Sequence, residues 1–189
     1  MIPELMSNKR LLEKSKLNKS EFHVVISDDF IVLGNDAFFY IRENGYSNIL
    51  KNGTYTASLG EDDEIIYKKD DTDVYSDSIN KILEQCNDTK KVEVLSGIVL
   101  ENENNGSCGL LVKDSLPDGM HYTVFFTVFF DKDYFSFLKE QSDDIYIAPI
   151  KSDSTPNVID ILCFKYKGKI RGALAPLDTR KKMKIRIEL

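Results

Sequence analysis

The spacing of apolar residues along the chain changes from helical to extended within the first twenty-odd positions. Pro3 suits the first turn of a helix and Glu4 complements the positive end of its dipole. Leu5, Met6 and Leu12 give a partial apolar stripe that predicts a helix from Pro3 through about Leu17. Leu11 falls off that stripe, and Lys9, Arg10, Lys14, Lys16 and Lys19 lie outside it. From Phe22 the pattern becomes extended. Phe22–Ile26, Phe30–Leu33 and Ala37–Ile41 are β-branched or aromatic runs punctuated by the turn residues Ser27-Asp28-Asp29 and Gly34-Asn35-Asp36. Asn52-Gly53 signals a turn before a strand at Thr54–Leu59, and Glu64–Tyr67 reads as its partner across the acidic turn Gly60–Asp63.

The charged segment Lys68–Asp73 marks a boundary, giving a first helix-plus-strands unit over residues 1–70 and a second over 74–189. In the second, Ser76 or Asp77 is placed to cap a helix in which Ile79, Ile82, Leu83 and Cys86 recur at i, i+3, i+4 and i+7. Strands are predicted at Val92–Leu100 and Leu110–Lys113. Tyr122–Phe130 then runs into Asp131, a predicted N-cap, and a short helix holding Tyr134, Phe135 and Leu138. Ile145–Ile150, Val158–Lys167 and Lys169–Ala175 are strands, the last two joined at Lys167-Gly168. Met183, Ile185 and Ile187 alternate with Lys182, Lys184 and Arg186, as in a strand with one buried and one basic face. The expected fold class is α+β: antiparallel sheets with a few helices, in repeated helix-plus-strands units. The closely spaced strands leave little room for the crossovers of a parallel sheet. Ile79, Ile82, Leu83, Phe125, Phe129, Leu138, Ile161 and Cys163 are expected in the core.

At 189 residues, 42% hydrophobic and 30% charged, the chain has ordinary globular composition. Its longest apolar clusters, Val124–Phe130 and Val158–Phe164, fall short of the roughly 18 apolar residues of a membrane helix. The N-terminus lacks the pattern of a signal peptide, so a soluble cytoplasmic protein is expected. Four Asn-x-Ser/Thr sequons, at Asn18, Asn52, Asn87 and Asn105, are what chance gives in a chain this rich in those residues. The net charge of −6 conceals a division. Residues 1–20 carry five basic and two acidic groups, residues 164–189 carry nine and two, and the middle carries eleven and twenty-seven. An acidic body repels nucleic acid while a localised basic face is able to hold phosphates; solvated charge with no partner is the plainer alternative.

Candidate chemistry is sparse. The histidines, His23 and His121, both sit in strand contexts and have no second ligand at zinc spacing. Cys86, Cys108 and Cys163 are an odd number at wide spacings, which argues against a disulfide framework, and Cys86 fits a small buried apolar residue. The acidic stretch Glu61-Asp62-Asp63-Glu64 lacks the glycine and terminal glutamate of an EF-hand loop. With no nucleotide-binding glycine motif and no nucleophile elbow, a non-enzyme without metal or cofactor is expected. The aromatic run Tyr122, Phe125, Phe126, Phe129, Phe130, Tyr134, Phe135 and Phe137 suits core packing better than a base-stacking platform, because it is not interleaved with Lys or Arg.

Several segments together resemble the sliding clamps of bacterial and phage DNA polymerases, the β clamps. Val94-Leu-Ser-Gly-Ile-Val-Leu-Glu101 is similar to the Leu-Ser-Gly-plus-strand segment of that family, and Gly34-Asn35-Asp36-Ala37-Phe38 to the segment in which a clamp strand ends at Ala-Thr-Asp-Gly. Phe129–Lys139 and Gly172-Ala-Leu-Ala-Pro-Leu177 resemble the second half of a clamp domain, and Asp73-Val-Tyr-Ser-Asp77 its Tyr-Pro-Asp segment, with Ser76 in place of the proline. The chain is much shorter than a three-domain bacterial clamp, and residues 178–189 extend past the family's usual terminus.

The resemblance implies a non-enzymatic processivity factor for DNA replication: a homo-oligomeric ring around duplex DNA, bound without sequence specificity, that tethers polymerase or other replication-protein peptides. It implies DNA contact by Lys9, Arg10, Lys14, Lys16 and Lys19, which as residues fit ordinary helix solvation equally. It also implies partner-peptide binding near Ala175, Pro176 and Leu177, which otherwise read as the end of a core strand. Two other classes remain open: a phage or mobile-element interaction or inhibitor protein that binds a host protein without encircling DNA, and an enzyme using a perturbed carboxylate pair.

Overall fold

The computed structural model describes residues 2–43, 50–71, 74–86, 90–95, 107–114, 128–151 and 158–176. The chain divides into two compact units, Met1–Ile82 and Leu83–Leu189. The fold is α+β, and every strand pairing is antiparallel among the described residues.

The first unit opens with two helical segments, α1 (Pro3–Ser7) and α2 (Lys9–Leu17), where one continuous helix was expected. Asn8 separates them: its backbone N–H donates to the Leu5 carbonyl, and its side-chain Nδ2 donates to the Glu4 carbonyl at 3.1 Å. The break changes which face of the second segment is buried. Leu5, Leu11, Leu12 and Ser15 face inward, whereas Met6 is 39% and Leu17 80% exposed, so the expected stripe ending at Leu17 is corrected.

Five strands follow: β1 (Phe22–Ile26), β2 (Phe30–Gly34), β3 (Phe38–Glu43), β4 (Gly53–Leu59) and β5 (Ile65–Asp70). Their spatial order is β5-β4-β1-β2-β3. Central β1 pairs Val24 with Leu33 of β2 on one side and Tyr55 of β4 on the other. Its Phe22, Val24, Val25 and Ile26 are buried. Burying each such side chain contributes about 1.5–3 kcal/mol, which is why the register is held by the apolar pattern. α2 packs against β4, and an ion pair from Arg42 of β3 to Glu4 ties down α1. Helix α3 (Val74–Gln85) starts two residues before the expected Ser76 cap, and the division between units falls within it.

The second unit contains β6 (Lys90–Leu95), β7 (Ser107–Asp114), β8 (Val128–Asp131), α4 (Lys132–Glu140), β9 (Asp144–Lys151), β10 (Val158–Tyr166) and β11 (Lys169–Leu174). The strand order is β11-β10-β9-β6-β7-β8. Asp131 caps α4, its carboxylate accepting from the N–H groups of Asp133 (3.0 Å) and Tyr134 (3.2 Å), as its position before the helix predicts. Tyr134, Phe135, Phe137 and Leu138 are buried, and Phe135 meets Phe164 of β10 edge-on at 5.8 Å. Lys167 (φ 50°) and Gly168 (φ 76°) both adopt positive φ between Tyr166 and its partner Lys169, the two-residue turn that matches strand twist.

Of the expected core residues, Ile79, Leu138, Ile161 and Cys163 are buried. Ile82 and Leu83, near the end of α3, are only half-buried, which corrects their assignment to the core. Phe129 lies on β8, while Phe125, His121 and the alternating stretch Met183–Ile187 lie outside the described residues. No helix among the described residues is long and apolar enough to cross a membrane.

Candidate nucleic-acid interface and neighbouring sites

Four of the five basic residues expected to meet DNA sit on α2, and Lys19 follows it in a turn with φ 56°. Their presentation is fixed by what lies on the opposite side of the helix. Leu11 and Leu12 are buried, and Ser15, 2% exposed, accepts through Oγ a 2.9 Å hydrogen bond from Nδ2 of Asn35. Asn35 is itself 4% exposed and organises the β2–β3 turn. Its Oδ1 accepts from the N–H groups of Ala37 (2.8 Å) and Phe38 (3.2 Å), and its own N–H donates to the Phe38 carbonyl at 2.8 Å. The turn that the sequence marks as Gly34-Asn35-Asp36 is therefore also the anchor of α2.

Arg10, Lys16 and Lys19 are exposed, while Lys9 and Lys14 are half-buried at the flanks of the outward face. Glu13 and Leu17 share that face, so the strip is basic but not uniformly so. Lys14 and Lys16 also lie in the last turn, where cations complement the helix dipole whether or not a ligand is bound. Chemically, such a surface offers several movable positive charges. It suits delocalised phosphate contact, which positions a protein on DNA without reading its sequence.

Ala175 and Pro176 are half-buried and follow β11 directly, after the buried pair Ala173 and Leu174; Leu177 lies outside the described residues. These residues belong to the second unit and α2 to the first.

Sequence reasoning missed a cleft of about 420 Å³ in the first unit. The carboxylates of Glu21, Asp36 and Asp70 line it, together with the His23 and Tyr75 rings, which stack at 4.4 Å between centroids and 21° between planes. Phe39, Ile79 and Ile82 supply apolar lining. Burial pushes the Tyr75 phenol far above its ordinary pKa, and the charge of Asp36 adds to the shift. Nδ1 of His23 is buried with no hydrogen-bond partner among the described residues. The residues come from separate strands, a turn and α3, with no shared motif. The one local signal is the Asn-Asp turn, which places Asp36 beside Tyr75 only after folding.

In the second unit, Cys86 at the end of α3 and Cys163 of β10 are both fully buried and hydrogen-bonded to each other. That bond lowers the Cys86 pKa and, with burial, raises that of Cys163. Phe130, Tyr134, Phe135 and Phe137 of the aromatic run are buried, which leaves them unable to stack on bases.

No family model, curated protein or solved structure matches this chain.

Proposed function

We propose that this protein is a sliding-clamp-like processivity factor: a non-enzymatic homo-oligomer that closes around duplex DNA, with α2 toward the phosphates and the strand end at Ala175–Leu177 receiving replication-partner peptides. The observation that carries this reading is the construction of α2. Its inner face is anchored to an antiparallel sheet through Leu11, Leu12 and the Ser15–Asn35 hydrogen bond, and its outer face presents Arg10 and Lys16, with Lys9 and Lys14 half-buried at its flanks. A protein that slides needs weak, redundant phosphate contacts and no base readout, which lysines on a rigid helix supply. A helix followed by three antiparallel strands occurs in each unit, as α2-β1-β2-β3 and as α4-β9-β10-β11, which supports a reading in repeated helix-plus-strands units. β5 ends the strand order of the first unit, with Ile66 46% exposed, and its outer edge is a natural place for a strand of another copy to add.

Light scattering and DNA-binding anisotropy on the parent and on a Lys9→Glu, Arg10→Glu, Lys14→Glu, Lys16→Glu variant test the reading. The expected result is an oligomer in both, with DNA binding lost in the variant. A monomer at micromolar concentration, or DNA binding unchanged by the four substitutions, overturns it. A second reading, a phage or mobile-element protein that binds a host protein without encircling DNA, is favoured by the exposed acidic turn Glu61–Glu64. It predicts no DNA affinity even at low salt, together with capture of a host protein that charge reversal in that turn abolishes.

A further inference from the structure

We infer that the cleft of the first unit is a receptor for an arginine side chain of a partner peptide, taken together with an apolar residue beside it. None of the residues assigned above to DNA or to partner peptides lines this cleft, so its role stands apart from the clamp reading. Three features define the occupant. The first is charge: Glu21 and Asp36 are exposed carboxylates, Asp70 is half-buried, and no lysine or arginine is among the described residues that line the cleft. A cation is favoured there, and a phosphate is repelled.

The second feature is the stacked pair His23–Tyr75, which lines the same cleft as those carboxylates. A planar guanidinium stacks on an aromatic face while its N–H fork engages a carboxylate through two bonds, and it tolerates partial desolvation better than an ammonium. The geometry does not suit a bare metal ion, because no three His, Cys, Asp or Glu side chains converge closely enough to hold one among the described residues. The third feature is size and lining. At about 420 Å³ the cleft exceeds one side chain, and half-buried Ile82, backed by the buried Phe39 and Ile79, offers apolar surface adjacent to the acids. A free cation would leave that surface wet, whereas a peptide with an apolar neighbour covers both halves.

The experiment is selection of a random heptapeptide library, displayed on phage, against the full chain, followed by anisotropy measurements with the selected peptides synthesised singly. The expected result is enrichment of arginine with an apolar residue within two positions. Exchanging that arginine for the neutral isostere citrulline should weaken binding about tenfold or more, as removal of a charge-assisted hydrogen bond does. The Glu21→Gln, Asp36→Asn double variant should show the same weakening while its thermal unfolding stays at the parent's, since both carboxylates are exposed. Selection of peptides without arginine enrichment, or selected peptides that bind the double variant as they bind the parent, overturns the inference. Should the double variant melt earlier, Ser78→Arg, a guanidinium introduced at an exposed position of α3 that lines the cleft, must block the same peptides; failure to block them also overturns it.

Discussion

Asn35 Nδ2 donates to Ser15 Oγ at 2.9 Å with both residues nearly inaccessible to water, so one turn between two strands fixes the position of the basic helix α2. Asn35→Ala removes the donor to Ser15 Oγ, which keeps its bonds to Ser20, and takes the Oδ1 acceptor from the N–H groups of Ala37 and Phe38. Chemical denaturation should register a loss of about 1–3 kcal/mol, the cost of buried polar groups left unsatisfied. Ser15→Ala in the same background should cost less than it does alone, because the shared bond is already gone. Additive losses would show that the two residues act separately.

Gly34 precedes that turn for a steric reason. A Cβ there would lie 2.7 Å from the Phe39 Cα, and closer still to the Phe38 carbonyl oxygen and the Tyr75 hydroxyl. Two of those three neighbours are backbone and cannot swing away. Gly34→Ala should therefore destabilise the chain by roughly 1–3 kcal/mol, the usual range for overpacking. The loss should persist in a Tyr75→Phe background, where only the hydroxyl has been removed. Full rescue by Tyr75→Phe would place the whole conflict on the side chain instead.

Tyr75 gives the stability a defined alkaline dependence. Burial, followed by repulsion from Asp36, keeps its phenol protonated in the folded state well beyond the pH at which an unfolded tyrosine ionises. The unfolded chain releases that proton above about pH 10 and the folded chain does not, so this contribution is intact below pH 10 and is lost as pH rises further. Parent and Tyr75→Phe should therefore differ by an amount constant between about pH 7 and 9, where neither state ionises the phenol. Above about pH 10 the parent should lose ground to the variant by about 1.4 kcal/mol per pH unit. Urea denaturation across that range checks the sign, and a parent that gains ground on the variant would contradict it.

Much of the strand layout is legible in the sequence because each strand is short, apolar and bounded by its own turn residues. Phe22–Ile26 is found as read, and Asp131 caps α4 as its placement implies. The break at Asn8 is not legible in the same way. It depends on an asparagine returning hydrogen bonds to the turn before it, and the resulting change of face buries Leu11, which lies off the stripe, and leaves Met6 of the stripe exposed. Helix periodicity assumes a continuous axis, and one interruption is enough to mislead it. The cleft was hidden for another reason: Glu21, His23, Asp36, Asp70 and Tyr75 are brought together by strand order and by α3, and nothing in their spacing reports that order. The basic face of α2 was visible as composition, but its flanks at Lys9 and Lys14 are half-buried by packing that composition does not record.

If phosphate binding by α2 is delocalised, each exposed cation should contribute separately. Arg10→Gln, Lys16→Gln and Lys19→Gln should each lower the slope of log affinity against log salt by about 0.9 for every phosphate left without its cation, with no change in sequence preference. A single substitution that abolishes binding, or a variant that alters preference among DNA sequences, would indicate a specific docking site in place of a sliding surface.

Encirclement of DNA is tested most directly through topology. The protein is allowed to assemble at high concentration with nicked circular plasmid, half of the complex is linearised by a single cut, and retention on the DNA is followed by gel filtration at rising salt. A closed ring predicts that protein stays with the circle at salt concentrations that dissolve simple phosphate contacts, and that it leaves the linear form through the free ends. Equal retention on both forms, or release from both at the same salt, would contradict encirclement.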